Sequence, residues 1–186
     1  MNKKILTSLV LIICVFALTI GTTLAWLTAQ SEKIENTFAV GDINITLTET
    51  NPLDLKMVPG KTITKDPVVT VQAGSEDCYL FVKLEKVNGF DTYMTFEKAD
   101  GWEVFEEVAG EYIIYCRVVS SNATENQPFD VIKGHKITVK SELTKNDLAN
   151  AKTSQPQLNI QAFAVQQLGS ADAAEAWEKL TTSSGQ

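Results

Sequence analysis

Alternation of apolar and polar residues with a period of two constrains this chain more than any other feature. Over Cys78–Val87, Cys78, Leu80, Val82 and Leu84 share one face, while Tyr79, Phe81, Lys83 and Glu85 share the other. That is the pattern of a half-buried strand. Tyr112–Val119 repeats it, with Ile114, Cys116 and Val118 opposed to Ile113, Tyr115 and Arg117. Ile43, Ile45 and Leu47 alternate with Asn44, Thr46 and Thr48. Ile63 and Val68–Val71 read as one strand broken at Asp66-Pro67, where a proline implies an edge or a bulge. Residues 102–105 make a short strand after the Asp100-Gly101 turn. Residues 129–132 and 137–139 read as strand, turn, strand about Lys133-Gly134, and 157–165 as a last strand. Turn signals at Asn51-Pro52, Pro59-Gly60, Asn88-Gly89 and Ala109-Gly110 separate these runs. Seven or eight short strands so divided predict a mostly β, antiparallel sandwich of jelly-roll or immunoglobulin type. Patterning does not choose between the two.

Residues 171–180 break the period. Ser170 is a candidate N-cap, Asp172 and Glu175 lie near the positive end of a helix dipole, and Ala173, Ala174, Trp177 and Leu180 form an apolar stripe at helical spacing. One short C-terminal helix is therefore expected at 171–180, with 181–186 a polar tail that frays.

The other end of the chain is of a different kind. Residues 5–20 carry no charge and follow Lys3 and Lys4; Thr23-Leu24-Ala25 then supplies small residues two positions apart. A basic start, an apolar stretch and a small-residue site make a secretory signal peptide, with Thr23 and Ala25 at the −3 and −1 positions before the cut and Trp26 the first mature residue. The apolar stretch is also close to the ~18–20 residues of a spanning helix, so a retained membrane anchor is the alternative. Cleavage would remove two lysines and no acid, moving the net charge from −7 to −9. Such an acid excess argues against electrostatic nucleic-acid binding, which needs a basic surface. The resulting organisation is 1–25 signal peptide, 26–40 mature extension, 41–180 sandwich domain and 181–186 tail.

Catalytic signatures are not evident. The sequence has no His-Glu-x-x-His helix, no Gly-x-Ser-x-Gly elbow, no phosphate-binding glycine loop and no EF-hand loop. A single histidine and three scattered cysteines cannot build a histidine-rich or four-cysteine zinc site, so neither metal nor cofactor is expected. The histidine, His135, reads as a solvated turn residue. Glu106 and Glu107 are neighbours on a strand and point to opposite faces, which suits a polar strand end better than a catalytic pair. Cys78 and Cys116 lie on separate strands, each placed on the inferred core face. Either they form a disulfide, worth up to ~4 kcal/mol for a loop of that size, or they are buried free thiols. Asn44 and Asn122 head Asn-x-Thr tripeptides, a glycosylation pattern that arises often by chance. Tyr79, Phe81, Tyr112 and Tyr115 read as cross-strand packing rather than a ligand-stacking face.

Several short motifs occur in a telling order. Gly21-Thr-Thr-Leu-Ala-Trp-Leu-Thr28 resembles the cleavage region of proteins processed by a SipW-type signal peptidase. Asn36-Thr-Phe-Ala-Val-Gly41, leading into an alternating run that ends at Glu49, resembles the hallmark of the TasA/camelysin-like family. Met57-Val-Pro-Gly60, Cys78-Tyr-Leu-Phe-Val-Lys83 and Ile160-Gln-Ala-Phe-Ala-Val-Gln166 with Ala176-Trp177 are similar to its later blocks. The likeness covers both ends and the first half, and is weak between Val87 and Asn150.

The resemblance implies a jelly-roll matrix protein that polymerises into extracellular fibres. It implies partners too: further copies of the chain, a SipW-type signal peptidase during export, and accessory matrix or anchoring proteins, with membrane contact only before cleavage. Residues 26–40 then suit a donor strand, with Trp26, Leu27, Ile34, Phe38 and Val40 as apolar anchors. The expectation is a secreted, non-enzymatic structural protein of the matrix or cell surface. A camelysin-like metalloendopeptidase and a non-polymerising adhesin are the alternatives.

Overall fold

The computed structural model describes residues 42–49 and 57–183. These belong to the second of two units into which the chain divides, Val40–Gln186. Among the described residues the order is β1 (Ile45–Thr48), β2 (Thr62–Thr64), β3 (Val68–Val71), β4 (Cys78–Val87), α1 (Phe90–Tyr93), β5 (Met94–Lys98), β6 (Glu103–Val108) and β7 (Tyr112–Val119). There follow β8 (Gln127–Asp130), β9 (Ile132–Val139), α2 (Lys145–Ser154), β10 (Gln157–Gln166) and α3 (Ala173–Ser183). The protein is mostly β, as expected, and every ladder is antiparallel.

Three sheets form: a four-stranded one in the order β10-β4-β7-β6 and two three-stranded ones, β1-β3-β8 and β2-β9-β5. The smaller sheets are joined by a bent ribbon. β2 runs into β3 through Pro67 while β8 runs into β9 through Val131, and Val131 N–H donates to the Pro67 carbonyl at 3.1 Å. Asp66-Pro67 therefore marks a bend that carries the chain from one sheet to another. Lys133-Gly134, expected as a hairpin turn, lies within β9. Gly134 and His135 both take left-handed backbone (φ 59° and 56°), making a bulge opposite the Pro67 bend, and the His135 carbonyl accepts from Lys65 N–H at 2.9 Å. The extra residues absorb the bend without reversing the strand.

Inner faces of all three sheets meet in one core. Leu80, Val82 and Leu84 of β4 are fully buried there with Val69, Ile132 and Val139, and β7 adds Ile113, Tyr115 and Val119. β4 ends where Asn88 and Gly89 turn left-handed (φ 56° and 71°) and Phe90 drops into the core as α1 begins. The outer face of the four-stranded sheet has a second, smaller core. There Phe81, Ile114 and Cys116 lie beneath α3, whose Ala176 is fully buried.

Trp177 is the hub of that second core. Its ring lies 5.0 Å from Phe81, 6.0 Å from Phe105 and 5.6 Å from Phe163, centroid to centroid. Edge-to-face and tilted ring pairs of this kind add to plain area burial. The helix departs from expectation in three particulars. Asp172, not Ser170, caps it, accepting from Glu175 N–H at 2.9 Å while Glu175 accepts from Ala171 N–H at 2.7 Å. Its inward stripe holds Ala173, Ala176 and Trp177, with Ala174 exposed. It also runs to Ser183 rather than ending at Leu180.

Two further helices, α1 and α2, and strand β5 were not expected. α2 opens on a capping box: Asp147 N–H donates to Thr144 Oγ1 at 3.3 Å, and Thr144 N–H returns a bond to Asp147 Oδ2 at 2.8 Å. Among the described residues, no helix is long and apolar enough to cross a membrane.

Candidate assembly edge

Among the described residues three open sheets have six edges, and five carry a device that discourages pairing. β2 is three residues long and β1 four; β8 contains Pro128; β5 and β6 are each broken by a register shift, and β6 carries three glutamates. Short length, proline, bulges and charge are the means by which natural sheets blunt their edges. β10 has none of them. It runs ten residues in continuous register with β4 and contains no charged side chain, Gln157-Leu-Asn-Ile-Gln-Ala-Phe-Ala-Val-Gln166. Among the described residues no strand pairs with its other side.

The burial of β10 is incomplete in the same sense. Leu158, Ile160, Ala162 and Ala164 point inward with Leu80, Val82 and Leu84 of the neighbouring strand, yet all four are only partly buried where those three are at 0%. Across the gap lies β1. Its Leu47 sits beside Val69 on the same face of their sheet, but Leu47 is 39% exposed and Val69 0%. Two edge strands thus present core-facing residues to an opening. Asp42 and Gln167 both bond to the Glu76-Asp77 pair, placing the head of β1 near the tail of β10, while Leu47 and Leu158 meet at the other end. The strands therefore run in opposite senses along a seam, with no ladder between them.

At the Leu47–Leu158 end the seam opens into a cavity of about 230 Å³. Leu47, Pro67, Leu158 and Ile160 form its apolar walls. Thr48 and an ion pair form the polar side, Lys65 Nζ lying 2.8 and 2.9 Å from the two carboxylate oxygens of Glu49.

The residues singled out from sequence fall elsewhere. Thr23, Ala25, Trp26, Leu27, Ile34, Phe38 and Val40 lie outside the described residues. Cys78 and Cys116 are both free and buried, and they are on opposite faces of the four-stranded sheet: Cys78 in the main core, Cys116 under α3. Register pairs Cys78 with Val119 and Cys116 with Phe81, a stagger of three residues. At ~3.3 Å per residue that offset of roughly 10 Å exceeds the ~7 Å span of a disulfide. Of the two alternatives the sequence left open, the pair are buried free thiols, because the alternation of β7 turns Cys116 to the face away from Cys78. Burial pushes both thiols up to about 11, so neither is a ready thiolate.

Glu106 and Glu107 do diverge, Glu106 bonding the Tyr112 hydroxyl at 2.5 Å and Glu107 lying 3.7 Å from Lys86. His135 Nε2 is 3.3 Å from Asp130 Oδ2, within the bulge. Of the four aromatics, Phe81, Tyr79 and Tyr112 belong to the outer cluster and Tyr115 to the main core. Asn122 Oδ1 accepts from Thr124 and Glu125 N–H, each at 3.1 Å, closing a local turn. Among the described residues no group of three or more His, Cys, Asp or Glu is placed to hold a metal ion. Sequence reasoning missed Leu47, Leu158 and Ile160 as a seam; the signal for it was the uncharged run from Gln157 to Gln166.

No family model, no curated protein and no solved structure matches this chain.

Proposed function

We propose that this chain is a secreted structural protein whose copies assemble head to tail into extracellular fibres, each copy lending an extended N-terminal segment, residues 26–40, to the sheet edge of the next. The supporting observation is the contrast among the edges: β10 alone is long, unbroken and uncharged, and its inward residues remain partly exposed. Strand addition to such an edge draws affinity from main-chain hydrogen bonds and specificity from side chains at alternate positions. A contact between two different surfaces does not close on itself and generates filaments. The jelly-roll topology and the likeness to TasA/camelysin-like proteins belong to the same reading. So do export through a SipW-type peptidase, accessory matrix or anchoring partners, and a role without catalysis.

The acid excess bears on the assembly. Copies carrying −9 repel at long range, so association rests on short-range pairing. Deleting residues 26–38 should leave a folded monomer that makes no fibres by electron microscopy. Fibres persisting in that variant would sink the proposal.

A further inference from the structure

One cation of this chain occupies a core-facing position. The inward row of β7 is Ile113, Tyr115, Arg117 and Val119; the other three are buried in the main core, and Arg117, the only arginine of the chain, is half-buried among them. It lies at the side of the sandwich where β6 and β8 form the edges, away from β10 and β1. The Phe129 ring of β8 stacks on its guanidinium, with 3.8 Å from Cζ to the ring centroid, and the Trp102 ring just before β6 is 5.3 Å away. Trp102 is held in turn by its indole N–H, which donates to the Asp130 carbonyl at 2.7 Å. Two aromatic rings offset part of the hydration the cation has lost, but they offer no acceptor to N–H groups directed along the guanidinium plane.

Among the described residues the Arg117 side chain donates no hydrogen bond and meets no carboxylate, and its Nε is buried without a partner. Burial lowers its pKa from the ordinary arginine value, as happens to a charge whose hydration nothing has fully replaced. Acids are not in short supply, since the chain has 23 of them against 16 bases. An aspartate even adjoins each flank of the guanidinium, Asp100 next to Gly101 and Asp130 next to Phe129, yet Asp100 turns to Lys133 at 3.9 Å and Asp130 to His135 at 3.3 Å. Lys98, partly buried on β5, also lacks a carboxylate and bonds the Trp102 carbonyl instead. Two half-buried cations thus meet Trp102 without an anion between them. A Cβ on Gly101 would stand 3.2 and 3.4 Å from the two terminal nitrogens of Arg117. The glycine serves the turn through its left-handed φ of 83° and also leaves that space beside the nitrogens free of a side chain.

We infer that Arg117 is the recognition element for a small organic carboxylate that enters between β6 and β8. A guanidinium fork pairs with two oxygens through parallel, charge-assisted bonds. With a ring stacked on one face, the fork is open to acceptors along its own plane, which a planar carboxylate suits better than a tetrahedral phosphate. The site is independent of the assembly reading above, and either stands if the other falls.

Phenylglyoxal, which condenses with guanidinium groups, tests this in the full chain, because Arg117 is the only such group present. In carboxylate-free buffer, modification of Arg117 read by peptide mass mapping is expected to proceed. Added acetate should slow it in proportion to occupancy, by about tenfold at ten times its dissociation constant, while acetamide, the neutral isostere, leaves the rate unchanged. An equal rate with and without acetate, or slowing by acetamide as strong as by acetate, would overturn the site. Failure of Arg117 to react in buffer would show the fork to be closed and would overturn it as well. Slowing by inorganic phosphate as strong as by acetate would overturn the carboxylate assignment. Saturation-transfer NMR on the acetate methyl protons gives a second reading for monomer or fibre alike. The transfer should be lost in Arg117→Met at unchanged far-ultraviolet circular dichroism, and transfer persisting in that folded variant would place the acetate elsewhere.

Discussion

The two edges of the four-stranded sheet are built on opposite plans. β6 is six residues long, is bulged between Val104 and Glu106, and carries Glu103, Glu106 and Glu107. β10 is ten residues long, unbroken and uncharged. Both rest on the same aromatic cluster through Phe105 on one side and Phe163 on the other, with Phe81 and Trp177 between them. One aromatic cluster therefore backs both edges of the sheet, while the edges meet solvent on different terms. With that support shared, charge and register are what distinguish them.

Breaking the shared support should give the largest effect. Trp177→Ala removes the one ring that touches Phe81, Phe105 and Phe163 together. A fully buried Trp→Ala typically costs ~3–5 kcal/mol, and because Trp177 is only partly buried a loss of about 2–3 kcal/mol is expected. Urea denaturation would register it as a lower midpoint. Amide exchange should accelerate in β6 and β10 alike; acceleration in one edge alone would show that the cluster does not support both.

Transferring the plan of β6 to β10 comes next. Asn159 and Gln161 are exposed on the solvent side of β10, opposite Glu85 and Lys83 of β4, so Asn159→Lys with Gln161→Glu leaves the core untouched and charges the edge with each new charge facing an opposite one. Assembly should slow about tenfold, the equivalent of ~1.4 kcal/mol in an equilibrium constant, with thermal stability changed by less than ~0.5 kcal/mol. Assembly at the wild-type rate would move the contact to another edge.

How much of this contrast is legible in the sequence depends on which residues are asked to report it. The alternation of Cys78–Val87 locates β4 and both its faces, because a strand buried on two sides still separates aliphatic from aromatic residues. Tyr112–Val119 is located as well, but the pattern misplaces Cys116: with both faces of β7 apolar, alternation cannot say which one meets which core. Lys133-Gly134 looks like a hairpin turn since a left-handed glycine serves a bulge as readily as a reversal. Only the long-range partners of β8 and β9 distinguish the two. α2 escapes notice because Ala151 is its single buried residue, so no apolar stripe announces it; Thr144 and Asp147, three apart, are the available sign. Of the seam only one side is legible, in the uncharged run Gln157–Gln166; that β1 lies across from it depends on two strands near opposite ends of the described chain.

The smallest effect concerns what flanks each edge. β10 is bracketed by α2, which delivers the chain to it through Gln155-Pro156, and by α3 beyond it. β6 is bracketed by turns at Gly101 and Gly110. Each helix begins on a carboxylate held below its ordinary range. Hydrogen bonds from the Thr144 side chain and backbone lower Asp147; those from Lys179 and from Ala171 N–H, with the lysine charge, lower Glu175. A carboxyl group whose folded pKa is depressed stabilises the fold at pH values above its unfolded pKa and loses that contribution as pH falls through the folded one. Both caps are therefore complete near neutrality. They should weaken as the solution is acidified below the ordinary carboxylate value of about 4. Amide exchange at the first turns of α2 and α3 should rise over that interval, and with it exchange at the ends of β10, before the ends of β6 respond. Asp147→Asn should leave the α2 component insensitive to acid while the α3 component remains. If both ends of the sheet loosened together in acid, the helices would not be what secures the β10 edge.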